Sequence, residues 1–333
     1  MGALVARRIA ALFAVLVGLV FIVFLLQTEI RSDPARAMVG VSASKQVVDA
    51  KRKELGLDKP LPVRFADFME RLAHGDLQSS LRTRNAVTSD LSSFAPATME
   101  LAAAAMLLAA LIGGGLGLLL AGGGRPARIV KVALMGSASL PPFLTGLGLI
   151  LLFYTGLQLL PASGWVDDSL AVPAGPTGMP LVDGLVHADF AVAGSAFSHL
   201  ILPALTLAML PALAIARTLG TSLNAVLGED YVRTARSKGL RERTVLLRHG
   251  LRNAVGPTLT MAGLQLGLLL GGVVVVERIF AWPGLGLYID QSIAYSDYPA
   301  IIGTTLVLGT AYIVVNFLVD LAQAWADPRI RTI

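Results

Sequence analysis

Residues 101–121 read LAAAAMLLAALIGGGLGLLLA, 21 residues without a charge. A helix needs about 20 apolar residues to cross a hydrocarbon layer, so this stretch alone is a membrane span. Five further uncharged stretches meet or approach that length: 9–26, 132–160, 190–216, 253–276 and 298–319. Charge, proline or glycine clusters part each from the next. Of the 333 residues, 55% are hydrophobic and 15% charged, against about 25% charged in an ordinary soluble domain, and the mean hydropathy is +0.70. The 34 glycines fit closely packed membrane helices, since the apolar content is too high for disorder. The chain reads as an all-α integral membrane protein with six transmembrane helices.

The span 132–160 is long enough to hold a kink at Pro141–Pro142. The next is expected to begin near Ser198, after a loop marked by Pro173, Pro176 and Pro180. Arg7 and Arg8, an apolar run and Ala35-Arg36-Ala37 also resemble a cleavable signal peptide. The run of 18 residues exceeds the usual 7–15 of a signal core, and it reads as a retained span. Orientation follows from Lys and Arg in the short loops. With Arg7 and Arg8 in the cytoplasm, Arg125, Arg128, Lys131, Arg217, the basic residues of 233–252, Arg329 and Arg331 all fall inside. The opposite loop 158–197 holds only Asp167, Asp168, Asp183 and Asp189, and Arg278 stands alone in the last outer loop. Eleven basic residues in 27–95 belong to a segment too long for the rule. Both termini are thus expected in the cytoplasm.

Residues 27–95 form a polar outer segment. Ser44 is placed as the N-cap of a helix through Leu55, ended by Gly56 and Pro60, and a second helix is expected over 64–73 before Gly75. This segment is either a cap on the outer mouth or a docking surface for an extracellular partner. The expected organisation is 1–95 as first span plus outer segment, 96–323 as a five-helix core and 324–333 as a cytoplasmic tail.

The stretch 229–240, EDYVRTARSKGL, is polar yet helix-compatible until Gly239, and a second helical run covers 241–251. The pattern predicts a helix, a glycine turn and a second helix at the inner membrane face. Glycine suits the turn because it takes positive φ cheaply. Ala235, one turn earlier, is small enough to let another protein approach closely. Seven basic residues between Arg233 and Arg252 are what an inner loop carries anyway, so they do not argue for nucleic acid. Attraction to membrane lipid headgroups follows from the same charge. The segment reads as a docking helix for a cytoplasmic motor.

This loop resembles the EAA motif of permease subunits of binding-protein-dependent ABC importers. That motif is an acidic-Ala-Ala triplet, three residues, Gly, nine residues and Ile-x-Leu-Pro. Arg233-Thr234-Ala235 stands at the triplet, Gly239 at the required spacing, His249 and Leu251 at the later Ile and Leu, and Arg252 in place of Pro. The departures resemble the dipeptide/oligopeptide/nickel branch, whose version reads TARxKGL…RHxLRN…P. Thr234 through Leu240, Arg248, His249, Leu251, Arg252, Asn253 and Pro257 match it. LGLDKPL at 55–61, GDL at 75–77 and SLRT at 80–83 look like the N-terminal part of that branch. FAWPGLG at 280–286, DYP at 297–299 and DPRIR at 327–331 look like its C-terminal part.

The resemblance implies a type I ABC transmembrane fold and a pathway shared with a second, non-identical permease. It also implies two ATP-binding subunits beneath and a substrate-binding protein that delivers peptides or related small polar cargo from outside. Tyr231, Arg233, Thr234, Ala235, Lys238, Gly239 and Leu240 then belong to the ATPase-coupling loop. ATP and magnesium are used by the partner ATPases, since this chain has no GxxxxGK[ST] phosphate loop and is expected to be non-catalytic with no cofactor of its own. Gly122-Gly123-Gly124-Arg125 lacks the Lys-Ser/Thr and reads as an inner turn.

Gly263, Gly267 and Gly271, four residues apart, form the small-residue pattern of close helix contact, within this subunit or against the sister permease. Gln265 is either a helix-to-helix hydrogen bonder or a pathway residue, and Gln291 is a further polar candidate for cargo. Glu277 with Arg278 reads as an interfacial ion pair or a simple boundary. Asn316 and Asp320 read as structural hydrogen bonders. His74, His187, His199 and His249 show no metal-ligand spacing. An ion-coupled secondary transporter or channel is the alternative, but such carriers bury ionisable groups in mid-membrane, and the middles of all six stretches lack Asp, Glu, Lys and Arg.

Overall fold

The computed structural model describes residues 2–29, 36, 39–40, 43–54, 56, 58–125, 127, 129, 141–173 and 175–326. Among them the regular elements are helices, with one isolated antiparallel bridge between Ser79 and Ala86. In chain order these are α1 (Gly2–Glu29), α2 (Lys45–Glu54), α3 (Leu61–Ala73) and α4 (Val87–Gly122). Next come α5 (Pro142–Leu149), extended by a π-helical turn Ile150–Gly156, then α6 (Pro180–Val186), α7 (Phe190–Leu227) and α8 (Asp230–Ser237). The chain closes with α9 (Glu242–Ile279), α10 (Leu285–Ala294) and α11 (Tyr298–Ala326). Four helical stretches have the length and composition to cross a membrane: Val87–Gly122, Phe190–Leu227, Glu242–Ile279 and Tyr298–Val319. Ile9–Leu25 and Pro142–Gly156 are shorter apolar helices. Arg128, Lys131, the start of the 132–160 stretch and the tail from Asp327 lie outside the described residues.

Three expectations change. α7 begins at Phe190 rather than near Ser198, because the Asp189 carboxylate accepts from the Val192 N–H at 3.1 Å and caps the helix. The proline-rich loop ends in α6 instead. The run 241–251 and the span 253–276 are one helix, joined through a π-helical turn at Val245–Leu251. Pro141 is extended (φ −60°, ψ 146°) and Pro142 opens α5, so among the described residues this pair starts a helix rather than kinking one. In the segment 27–95 Ser44 precedes α2, its carbonyl accepting from Val47 and Val48, and α3 closes before Gly75 as expected.

The chain divides into two compact units, 1–94 with 288–313, and 95–287 with 314–333. In the first, α3 seats Phe65 and Phe68 on Phe24 of α1, with ring centroids 5.3 and 5.7 Å apart. Val23, Ile302 and Leu306 complete this apolar cluster. Beside it, the SLRT and DYP segments meet. Ser80 Oγ donates to Asp297 Oδ2 at 2.5 Å and the Arg82 N–H to the same oxygen at 3.1 Å. The Tyr288 hydroxyl donates to Asp90 at 2.9 Å, while the Arg82 guanidinium lies 5.3 Å over the Tyr288 ring. Burial pushes the Tyr288 hydroxyl up, and the bond to Asp90 adds to the shift, so it stays a donor.

In the second unit, α7 is more enclosed than α9, with Leu202, Ala204, Ala208, Ala212, Ile215 and Leu219 all buried along it. It packs on α4 through interlocked small residues. A Cβ on Gly113 would stand 2.7 Å from the Ala212 carbonyl oxygen, one on Gly117 2.8 Å from Leu219 Cβ, and one on Gly220 2.9 Å from Leu120 Cβ. Lipid tails are as apolar as leucine, so helices in a membrane hold together by such close approach. α9 joins them through Leu269, Val273 and Val276.

Candidate functional site

α7 ends at Leu227, and Glu229, extended at ψ 149°, redirects the chain into α8. Asp230 occupies the first turn of α8 and Arg236 the last, each charge opposing the helix dipole at its end. Val232 and Ala235, three apart, share one face. Both are buried, with Val245 of α9, in a cluster that Leu227 flanks. Ala235, expected to let another protein approach closely, is 7% exposed, and its small side chain packs within this chain.

The opposite face is open. Tyr231 is 45% and Leu240 40% exposed, and Arg233, Thr234, Ser237 and Lys238 are exposed with them. At the turn, Lys238 N–H donates to the Thr234 carbonyl and Gly239 N–H to that of Arg236. Gly239 takes φ +75°, and no heavy atom lies within 4 Å of where its Cβ would stand, so the backbone angle alone requires glycine there. Arg236 Nε and Nη2 donate to the two Glu242 oxygens at 2.8 and 3.3 Å, and Asn253 Nδ2 donates to the Tyr231 hydroxyl at 2.9 Å. Of the expected residues, the fold brings Tyr231, Arg233, Thr234, Lys238, Gly239 and Leu240 together on one exposed face, which offers cationic and apolar contacts side by side. The Arg236–Glu242 pair was missed, although opposite charges flanking the glycine turn were its signal.

The 277–287 turn is organised differently. Glu277, expected as an interfacial ion pair or a simple boundary, is fully buried in a network of hydrogen bonds. Its carboxylate accepts from Thr98 Oγ1 at 2.6 Å, Gly286 N–H at 2.6 Å and Leu287 N–H at 3.1 Å, and its carbonyl from Trp282 N–H at 2.9 Å. The FAWPGLG segment winds round this group. A Cβ on Gly284 would fall on the Glu277 carboxyl group, and one on Gly286 would stand 2.5 Å from Val274 Cα. Trp282 donates from Nε1 to the Ala97 carbonyl at 2.8 Å, and Trp165 from Nε1 to Glu100 Oε2 at 2.6 Å. Leu181 N–H reaches the other Glu100 oxygen at 3.2 Å, which ties the 165–181 loop to α4. Nearby, burial pushes the Asp183 carboxyl up, but the Thr177 hydroxyl and the N–H groups of Thr177 and Gly178 outweigh it and hold Asp183 below the ordinary range.

Along α9, Gly263 and Gly267 are buried against α11, where added Cβ atoms would meet Val319 and, at 2.7 Å, Asn316 Nδ2. Gly271 has nothing within 4 Å and does not join that contact. Gln265 is half-buried, and its amide reaches Met261 Sδ of the same helix at 3.7 Å. Among the described residues no group of three His, Asp or Glu side chains is placed to hold a metal ion.

The comparisons with known proteins cover the whole chain. A family model described as binding-protein-dependent transport system inner membrane component matches residues 109–332. A second, for the N-terminal part of such membrane components, matches residues 1–101. The chain is 43% identical over 326 residues to a probable D,D-dipeptide transport system permease protein of Escherichia coli (strain K12), covering 97% of this chain and 96% of that one. It is 40% identical over 331 residues to a di/tripeptide transport system permease protein of Pseudomonas aeruginosa (strain UCBPP-PA14), with 98% of each covered. Against a glutathione transport system permease protein of Pectobacterium atrosepticum the identity is 37% over 327 residues, 98% and 97% of the two chains. The chain belongs to the family of binding-protein-dependent transport system inner membrane components.

Proposed function

We propose that this chain is the transmembrane permease subunit of an ATP-driven importer for di- and oligopeptides or related small polar cargo, in a bacterial-type cytoplasmic membrane. The observation that carries the reading is the exposed face Tyr231–Leu240, which rests on a buried apolar underside and lies between two long apolar helices, α7 and α9. A motor that grips this face moves the ends of two helices at once. The names of the relatives, dipeptide, di/tripeptide and glutathione permeases, support the cargo class. The chain crosses the membrane six times with both termini in the cytoplasm, and α2 and α3 lie outside. Residues 1–95 form the N-terminal part, 96–323 a five-helix core and 324–333 a tail. A second, non-identical permease completes the pathway, to which Gln265 contributes, and an extracytoplasmic binding protein delivers cargo. The chain itself is non-catalytic, and two ATPase subunits with ATP and magnesium supply the energy.

The test is a mild-detergent pull-down of the tagged chain beside a Lys238→Glu/Leu240→Ser variant, with uptake of a labelled dipeptide measured in parallel. These substitutions touch exposed side chains only, so the chain and the second permease should be recovered normally. The ATPases should be lost and uptake abolished. Full ATPase recovery and uptake with the variant would remove the coupling face, and absence of ATPases even with wild type would turn the reading toward ion-gradient-driven transport.

A further inference from the structure

We infer that Arg236 is a positioning residue for coupling, a clasp that fixes α8 to the long helices on both sides of it; the inference rests on the coupling role proposed for the exposed face. The Arg236 guanidinium reaches three ways. Nε donates to Glu242 Oε1 at 2.8 Å, Nη2 to Glu242 Oε2 at 3.3 Å, and Nη1 to the Leu227 carbonyl oxygen at 3.4 Å. Glu242 is the first residue of α9 and Leu227 the last of α7. One side chain in the last turn of α8 therefore touches the ends of both long helices.

Each contact suits a cation. The carbonyls of the last turn of a helix have no intrahelical donor and carry its negative pole. A carboxylate is favoured at a helix start and presents two oxygens to the planar fork of arginine, a geometry that lysine cannot reproduce. Beneath the clasp, the contact of Val232 and Ala235 with Val245 is apolar and therefore non-directional. It resists separation but does little against rolling. The soft point is Gly239, at positive φ with open space around its Cβ position. With the clasp closed, a pull on the exposed face passes into α7 and α9. Without it, the Asn253 hydrogen bond to the Tyr231 hydroxyl still ties the first turn of α8 to α9, but the last turn is released and part of the same pull is dissipated as rotation of α8 about Gly239.

The experiment uses the whole importer in proteoliposomes, with its ATPases and binding protein and a labelled dipeptide as cargo. Four forms of this chain are compared with wild type: Arg236→Gln, Glu242→Gln, the charge exchange R236E/E242R, and the face variant Lys238→Glu/Leu240→Ser. Arg236→Gln and Glu242→Gln should keep their ATPases in the pull-down and still hydrolyse ATP. Cargo imported per ATP should fall about threefold to fivefold in each, the ceiling for an exposed ion pair, and the charge exchange should recover at least half of the loss. Cargo per ATP is a quantity that a contact serving stability alone leaves unchanged. Wild-type cargo per ATP in both single variants overturns the clasp. So does loss of the ATPases with Arg236→Gln but not with Glu242→Gln and without recovery on exchange, because Arg236 would then touch the motor directly. If the face variant keeps its ATPases and imports normally, the coupling reading itself falls. If the face variant loses them while both clasp variants behave as wild type, only the clasp falls.

Discussion

α9 is entered through a turn at Gly239 and left through a turn at Gly284 and Gly286, and the two turns require glycine for opposite reasons. At Gly239 the space is empty and the backbone angle is the constraint. At Gly284 and Gly286 the space is full, with the Glu277 carboxyl group and the Val274 backbone where side chains would begin. The polar groups follow the same division. Around Glu277 they are buried and hydrogen-bonded to one another, whereas around Gly239 they are exposed and only partly tied down. A buried network is costly to leave half-satisfied and so holds one arrangement. The exposed face of α8 is tied to its neighbours by a few exposed polar contacts, from Arg236 and Tyr231, and so is held less tightly. One end of α9 is held by a buried network and the other presents an exposed face, the one proposed above for coupling.

The sharpest test of this contrast is at the crowded end. Glu277→Ala leaves the Thr98 hydroxyl and the N–H groups of Gly286 and Leu287 buried without their acceptor, each worth about 1–3 kcal/mol. A loss of about 3–5 kcal/mol is expected overall, at the severe end for a single substitution. It should appear as a large drop in monodisperse yield and in the detergent Tm. Gly286→Ala adds a methyl group against the Val274 Cα and should cost about 1–3 kcal/mol by overpacking. Wild-type Tm in both variants would break the comparison.

The α9–α11 contact offers an internal control on the same helix. Gly263→Ala, which drives a methyl group into Val319, should lower Tm, at about 1–3 kcal/mol. Gly271→Ala enters open space and should change stability by less than about 0.5 kcal/mol or raise it slightly, since alanine favours a helix. Equal effects at the two sites would mean that close approach is not what distinguishes them. Gly239→Ala should fall between, at about 1–2 kcal/mol for positive φ without a clash. In that variant uptake should suffer more than Tm, because the turn sets the angle of α8.

Much of this was legible in the sequence because hydropathy and glycine speak locally. The apolar stretches, the Gly239 turn and helices α2 and α3 are set by residues adjacent in the chain. What escaped depends on partners far apart in sequence. Glu277 looked like a boundary charge, since its donors include Thr98, 179 residues away. Ser80 and Asp297, 217 residues apart, likewise carry no local sign of their bond. At Ala235 the packing within the chain was not legible for a subtler reason: small size marks a close approach but does not say whose. Three-residue spacing from Val232 pointed inward, and only the position of Val245 across the glycine turn decided it. Of the glycine row on α9, spacing alone did not tell which members meet α11: Gly263 and Gly267 lie against Val319 and Asn316, and Gly271 faces open space within this chain.

The smallest expected effect is at Tyr231. Tyr231→Phe removes the hydroxyl that accepts from Asn253 Nδ2 and keeps the exposed ring. Asn253 Nδ2 still donates to the His249 carbonyl at 2.9 Å, so no buried donor is orphaned, and the stability cost should stay below about 0.5 kcal/mol. If the ring is what a partner grips, ATPase recovery and uptake should remain near wild type in Tyr231→Phe and fall in Tyr231→Ala. Were Tyr231→Phe as damaging as Tyr231→Ala, the hydrogen bond to α9 rather than the open face would be the working feature. The end of α9 near Gly239 would then depend on fixed polar contacts just as the Glu277 end does.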